Sequence, residues 1–148
     1  MTLTFTVPGK PEPQRRARAT ARHGHVRMVD DPRNRTYADR IRWAWRDAGS
    51  PAFGDTPVVL AVTAYFPRPA THFRKNGELT ASGARAGHYY PGTPDGDNLA
   101  KAIMDALNGY AWADDRYVVR VAVEKRWAED RVGRLQVMAE PALAEVAA

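Results

Sequence analysis

Five aspartates and one lysine fall between positions 95 and 115 of this 148-residue chain: Asp95, Asp97, Lys101, Asp105, Asp114 and Asp115. Asp95 and Asp97 alternate around Gly96, so in an extended backbone both carboxylates face one side, just ahead of a helix. Two close carboxylates repel unless a cation neutralises them, and hard oxygen donors suit Mg²⁺, or Mn²⁺ in its place, held partly by water. Lys101 follows Asp97 by four residues and Asp105 follows Lys101 by four, so the three form a polar helical stripe opposite Leu99 and Ile103. Asp114-Asp115 precedes a β-branched run and could meet the first acidic pair across the fold. Carboxylates and a lysine without histidine fit metal-assisted hydrolysis of a phosphodiester. The ion orients water, lowers its pKa and screens the phosphate, while Lys101 stabilises developing negative charge or the leaving oxygen. The pattern leaves structural roles open: Asp97 as a helix N-cap, Asp95 as a turn former, Lys101 in i,i+4 ion pairs, and Asp114-Asp115 as a solvated turn. A non-catalytic calcium-like site is also open, although the acidic spacing of an EF-hand is absent.

The elements that must position these groups read as one α+β domain over residues 1–148, with a mixed sheet of about four strands and two main helices. Leu3, Phe5 and Val7 alternate with threonines up to Pro8-Gly9, the pattern of a half-buried strand. Residues 10–31 are aperiodic and Arg-rich and read as an extended arm or loop. Tyr37, Ile41, Ala44, Trp45 and Ala48 recur at helical spacing over 36–48, ended by Gly49-Ser50-Pro51. A second strand is expected over 58–66 and a long irregular loop over 70–94, a length that more often serves function than mere connection. The helix 98–107 stops at Asn108-Gly109, strands follow over 117–123 and around Leu135 to Ala139, and the tail 141–148 reads as a short helix or a frayed end.

Composition bounds the class. Lys and Arg total 22 against 17 Asp and Glu, a net +5, and 18 of the 22 are Arg. The charge is uneven, because the first 46 residues hold 11 basic and 4 acidic side chains while the remainder holds 11 and 13. A guanidinium grips two phosphate oxygens at once, so Arg excess suits a phosphate-bearing partner. The absence of cysteine removes disulfides, thiolate zinc sites and Cys nucleophiles. No apolar run approaches a membrane span or a signal-peptide core, so a cytoplasmic protein without a membrane partner is expected.

The segment Pro94-Asp95-Gly96-Asp97-Asn98-Leu99-Ala100-Lys101, followed by Asp105-Ala106-Leu107-Asn108-Gly109 and then Asp114-Asp115, resembles the RusA family of Holliday junction resolvases. The resemblance extends to the opening strand with Gly9-Lys10-Pro11, the basic Gln14-Arg15-Arg16-Ala17-Arg18, and the loop from Gly77 to His88, and weakens beyond Asp130. It implies a Mg²⁺-dependent endodeoxyribonuclease that resolves four-way junctions in recombination and repair. Asp95, Asp97 and Asp115 match the metal-associated catalytic carboxylates and Lys101 the catalytic lysine, with Asp105 and Asp114 in support. It further implies a homodimer, which suits a substrate presenting two symmetric strands. Many relatives carry Lys just before Pro-Asp where this chain has Thr93, and Gly-Arg-Pro-Arg where it has Arg15-Arg16-Ala17-Arg18. These departures bear on junction preference more than on nuclease chemistry. A less selective endonuclease of flaps, forks or duplex, or a non-catalytic binder of branched DNA, remains the alternative.

Arg15, Arg16, Arg18, Arg22 and Arg27 in the arm are candidate phosphate contacts. Arg74, Lys75, Arg85 and His88 in the long loop form a second candidate DNA surface, with Tyr89 and Tyr90 expected to pack against the protein rather than to stack on bases.

Overall fold

Leu3, Phe5 and Val7 point inward and the threonines between them outward along β1 (Leu3–Pro8), so a period-two sequence becomes a strand with one buried face. The computed structural model describes residues 2–143. Two further strands repeat the alternation: β4 (Val58–Pro67) buries Val58, Leu60, Val62, Ala64 and Phe66, and β6 (Arg134–Pro141) buries Leu135, Val137 and Ala139. With β5 (Val118–Ala128) they form a mixed sheet of order β1-β6-β4-β5. β6 runs antiparallel to both β1 and β4, so Val137 faces Phe5 on one side and Val62 on the other. β4 and β5 are parallel, which demands a long crossover between them. That crossover carries the Asp-rich segment.

Helices α1 (Pro32–Asp47) and α3 (Gly96–Leu107) pack on each other, α1 also against β1 and α3 against β5. Tyr37, Ile41 and Trp45 of α1 and Leu99, Ile103 and Leu107 of α3 complete the core with Trp112. The fold is therefore α+β, as the sequence implies, with four strands in the main sheet. A short third helix, α2 (Ala81–Ala86), lies in the crossover.

Several boundaries differ from the expectations, each for a local reason. The arm 10–31 is not structureless, because its outer part is an antiparallel hairpin of β2 (Arg18–Arg22) and β3 (His25–Val29). Its two-residue turn, His23-Gly24, has φ of 54° and 77°, the left-handed pair that lets a hairpin keep its natural twist. α1 begins at Pro32, four residues before the periodicity suggests. Asp31 caps it by accepting the Arg33 amide at 2.9 Å, and Pro32 occupies the first turn, where no amide is missed. Pro141 closes strand β6, so the expected tail helix or frayed end does not begin there, and positions 144–148 lie outside the described residues.

The loop 70–94 is more ordered than its composition suggests. A single helical turn at Ala70–His72 and then α2 are gathered around the buried Arg68. Its guanidinium donates to the carbonyls of Gly83 at 3.1 Å and Gly87 at 2.7 Å and to Glu129 Oε1 at 2.8 Å. The loop's far end runs beside β5: the Tyr90 amide donates to the Lys125 carbonyl and the Trp127 amide to that of His88. Tyr90 stacks on Phe66 with ring centres 3.9 Å apart and meets Trp127 edge-on. Tyr90 thus packs against the protein, whereas Tyr89 is exposed.

Candidate active site

The α3 sequence is amphipathic, and its polar stripe survives folding. Asp97, Lys101 and Asp105 are exposed on the helix whose opposite side buries Leu99 and Ile103. The stripe lines an open cavity of about 720 Å³ together with Asp115, Ala100, Met104, Val121 and Val123. α3 packs against β5 at its first turn, where a Cβ on Gly96 would make an ordinary contact with Val123 at 3.6 Å.

Asp95 and Asp97 do not alternate along an extended strand, which corrects the reading that Gly96 merely separates two carboxylates on one side. The helix starts at Gly96, so Asp95 is its N-cap residue and Asp97 lies in its first turn. The Asp95 side chain makes no capping hydrogen bond. It is exposed at the helix entrance and is not part of the cavity wall that Asp97 shares with Asp115. Among the described residues Lys101 forms no ion pair with Asp97 or Asp105, so the structural reading of the stripe as i,i+4 bridges is not realised. Partial desolvation by the surrounding helix and cavity wall raises the Asp105 carboxyl above its ordinary value. Lys101 opposes that shift and the charge of Asp115 adds to it.

The second acidic pair divides. Asp114 turns back to accept the Arg116 amide at 2.9 Å and caps the single turn Asp115–Tyr117. Asp115 is half-buried and faces the cavity, its Oδ1 held by the Trp112 indole N–H at 3.0 Å. Asn108-Gly109 ends α3, and Gly109 at φ 78° permits the turn that brings Trp112 back beneath the helix. The Gly109 amide donates to the Trp112 carbonyl at 2.8 Å.

The donor set is all oxygen and fits a hard divalent cation. Among the described residues no group of three acidic or histidine side chains closes into a cage. Mg²⁺ needs no such cage, because one or two carboxylates, several waters and substrate phosphates ordinarily complete its shell.

Two groups emerge only in three dimensions. Lys125 of β5 donates from Nζ to the carbonyls of Gly92 at 2.7 Å and Pro94 at 3.1 Å, clamping the backbone that delivers Asp95. Its sequence neighbours are those of an ordinary strand, so no motif marks it. Lys10 lines a small recess with Glu12, Arg15, Thr93 and Pro94, which puts a cation beside Thr93.

The DNA-contact candidates separate by anchorage. Arg16, Arg18, Arg22 and Arg27 are exposed, as are Arg74, Lys75, Arg85 and His88. Arg15 is half-buried and pairs with Glu12 at 3.5 Å, while its backbone is held at both ends by the Asn34 amide group. His88 lies 3.9 Å from Glu129. His72 is buried against Arg68 and takes no part in the site.

Comparison with known proteins identifies the family. The family model described as endodeoxyribonuclease RusA matches residues 8–140. A Bacillus subtilis (strain 168) protein named "Uncharacterized protein YqaN" is 31% identical over 137 residues, covering 92% of this chain and 94% of its own length.

Proposed function

The chain belongs to the RusA endodeoxyribonuclease family, and on that premise we propose that it resolves four-way DNA junctions by paired, Mg²⁺-dependent phosphodiester cleavage in recombination and repair. One observation carries this reading: Asp97, Lys101 and Asp105 on one stripe of α3 share a single open cavity with Asp115 from the turn that leads into β5. Asp97 and Asp115 would hold the cation, with Asp95 adding negative charge at the helix entrance. Mg²⁺, with Mn²⁺ as a substitute, supplies charge neutralisation and a water of lowered pKa.

The chain's own groups do the rest. Lys101, on the same wall and free of ion pairs among the described residues, stabilises charge developing on the leaving oxygen. Trp112 fixes the rotamer of Asp115 through its indole N–H, leaving the other carboxylate oxygen open. Lys125 fixes the approach to Asp95. Lys10 and the exposed arginines of the arm draw in phosphates from outside the acidic cavity.

A homodimer belongs to this proposal, because a two-fold protein can place one site near each of two symmetric strands. β5 is an edge strand with Val119 and Val121 exposed beside the cavity, a surface suited to a second copy. Among the described residues no helix is long and apolar enough to cross a membrane. A cytoplasmic setting follows from a chromosomal or phage DNA substrate.

The test presents one sequence as a four-way junction, a fork, a flap and a linear duplex, in Mg²⁺ and in EDTA. Symmetric paired nicks in the junction, confined to Mg²⁺, are the expected result. Equal cutting of linear duplex would contradict junction selectivity, and binding in Mg²⁺ without any cutting would contradict the enzymatic reading.

A further inference from the structure

The β2–β3 hairpin has two chemically different faces. Cross-strand partners share a face, so the pairs Arg18 with Val29, Thr20 with Arg27 and Arg22 with His25 make one side largely basic. The pairs Ala19 with Met28 and Ala21 with Val26 make the other side apolar. Every residue of both strands is exposed, with Val26 at 77% and Met28 at 63%. A two-stranded hairpin is marginal in water by itself, and among the described residues neither face is covered by the body.

Its root ties this element to the catalytic helix. The Gln14 amide donates to the carbonyl of Asn98 at 3.1 Å, and Asn98 directly follows Asp97. Asn34 of α1 grips Arg15 from both sides of its peptide. From that anchored root the hairpin projects five residues per strand, roughly 17 Å at strand rise, or about five stacked nucleotides.

Charge selects the occupant. Residues 13–29 contain five arginines and no acidic residue, so the hairpin as a whole is cationic and a polyanion is its complementary partner. A polyanion neutralises the basic face, and the broadest apolar surface a nucleic acid offers to the other face is the plane of an unstacked base. We infer that the β2–β3 hairpin is a wedge for branched DNA, in which the arginine face seats on phosphates while Val26 and Met28 insert at an unstacked step near the crossover. This inference rests on the junction reading above and adds the residues that select branched over linear DNA. Intact duplex resists insertion because its bases must first be unstacked, whereas a branch point has already met part of that cost.

The experiment places 2-aminopurine at the crossover of a four-way junction and measures its fluorescence and the junction and duplex affinities in EDTA. Wild type should raise the fluorescence on binding. The double variant Val26→Ser, Met28→Ser should lose that rise, and its preference for junction over duplex should fall about tenfold while duplex affinity holds. Arg22→Gln with Arg27→Gln should weaken junction and duplex alike. Both positions are exposed, so a melting temperature equal to wild type verifies that the fold is intact. A serine variant that keeps the fluorescence rise and the preference would overturn the wedge. So would a loss of dimer mass in that variant, which would show the apolar face to be covered by another copy. A wild type with no affinity for the junction would instead contradict the functional reading itself.

Discussion

At the scale of single residues, the candidate site divides groups that face the open cavity from groups that hold those groups still. Asp114 and Asp115 are neighbours in sequence, yet one caps a turn through the Arg116 amide and the other faces the cavity under the Trp112 indole. Composition could not separate them, because the division depends on where Trp112 returns after Gly109. Asp97, Lys101 and Asp105 were legible from their spacing of four, since helical geometry alone puts them on one side. Lys125 was not, because its effect depends on a loop that docks from more than thirty positions away. Charge-assisted hydrogen bonds contribute about 1.5–3 kcal/mol each, so Lys125→Met, which keeps an unbranched stem but removes the ammonium, should loosen the Asp95 approach. The expected outcome is an approximately tenfold rise in the Mg²⁺ concentration for half-maximal cleavage, equivalent to about 1.4 kcal/mol. Junction binding in EDTA should stay unchanged and Lys125→Arg should restore part of the loss. Direct Mn²⁺ titration by electron paramagnetic resonance should show the same weakening without turnover.

At the scale of elements, β1, β4 and β6 were readable because each has one buried face and therefore alternates, whereas β5 was marked by its β-branched start. The hairpin was not, since an element with no buried face has no hydrophobic pattern to display, and its His23-Gly24 turn lies outside the commonest pairs. The start of α1 was also missed, because Pro32 to Arg35 precedes the first buried aromatic, and only Asp31-Pro32 marks it. That cap has a pH signature. Hydrogen bonds from the Arg33 side chain and backbone hold Asp31 well below the usual carboxylate range. Its folded-state pKa is lower than its unfolded one, so the stabilisation is present above the unfolded value of about 3.8 and is lost as pH falls toward the folded one. Asp31→Ala should therefore melt below wild type at neutral pH, and the difference should shrink as both are acidified below about pH 4. An unchanged gap at low pH would show that the cap does not act through its charge.

At the scale of the whole molecule, the net charge of +5 averages a basic end with an acidic centre, and the fold keeps them adjacent but distinct. The β4-to-β5 crossover delivers the carboxylates to the edge of the sheet, where α3 meets β5. The hairpin carries its arginines outward from a root bonded beside Asp97. In the proposed function, DNA drawn in by one region is presented to the other, where a cation would offset the carboxylates before a phosphate approaches. The most direct measurement of that claim is the nicking rate of a synthetic four-way junction in Mg²⁺ for wild type and Asp97→Asn at equal junction occupancy. The expected result is a loss of at least about a hundredfold in rate with binding preserved, the scale of removing one electrostatic contact to a transition state. Nicking by Asp97→Asn at the wild-type rate would contradict the account.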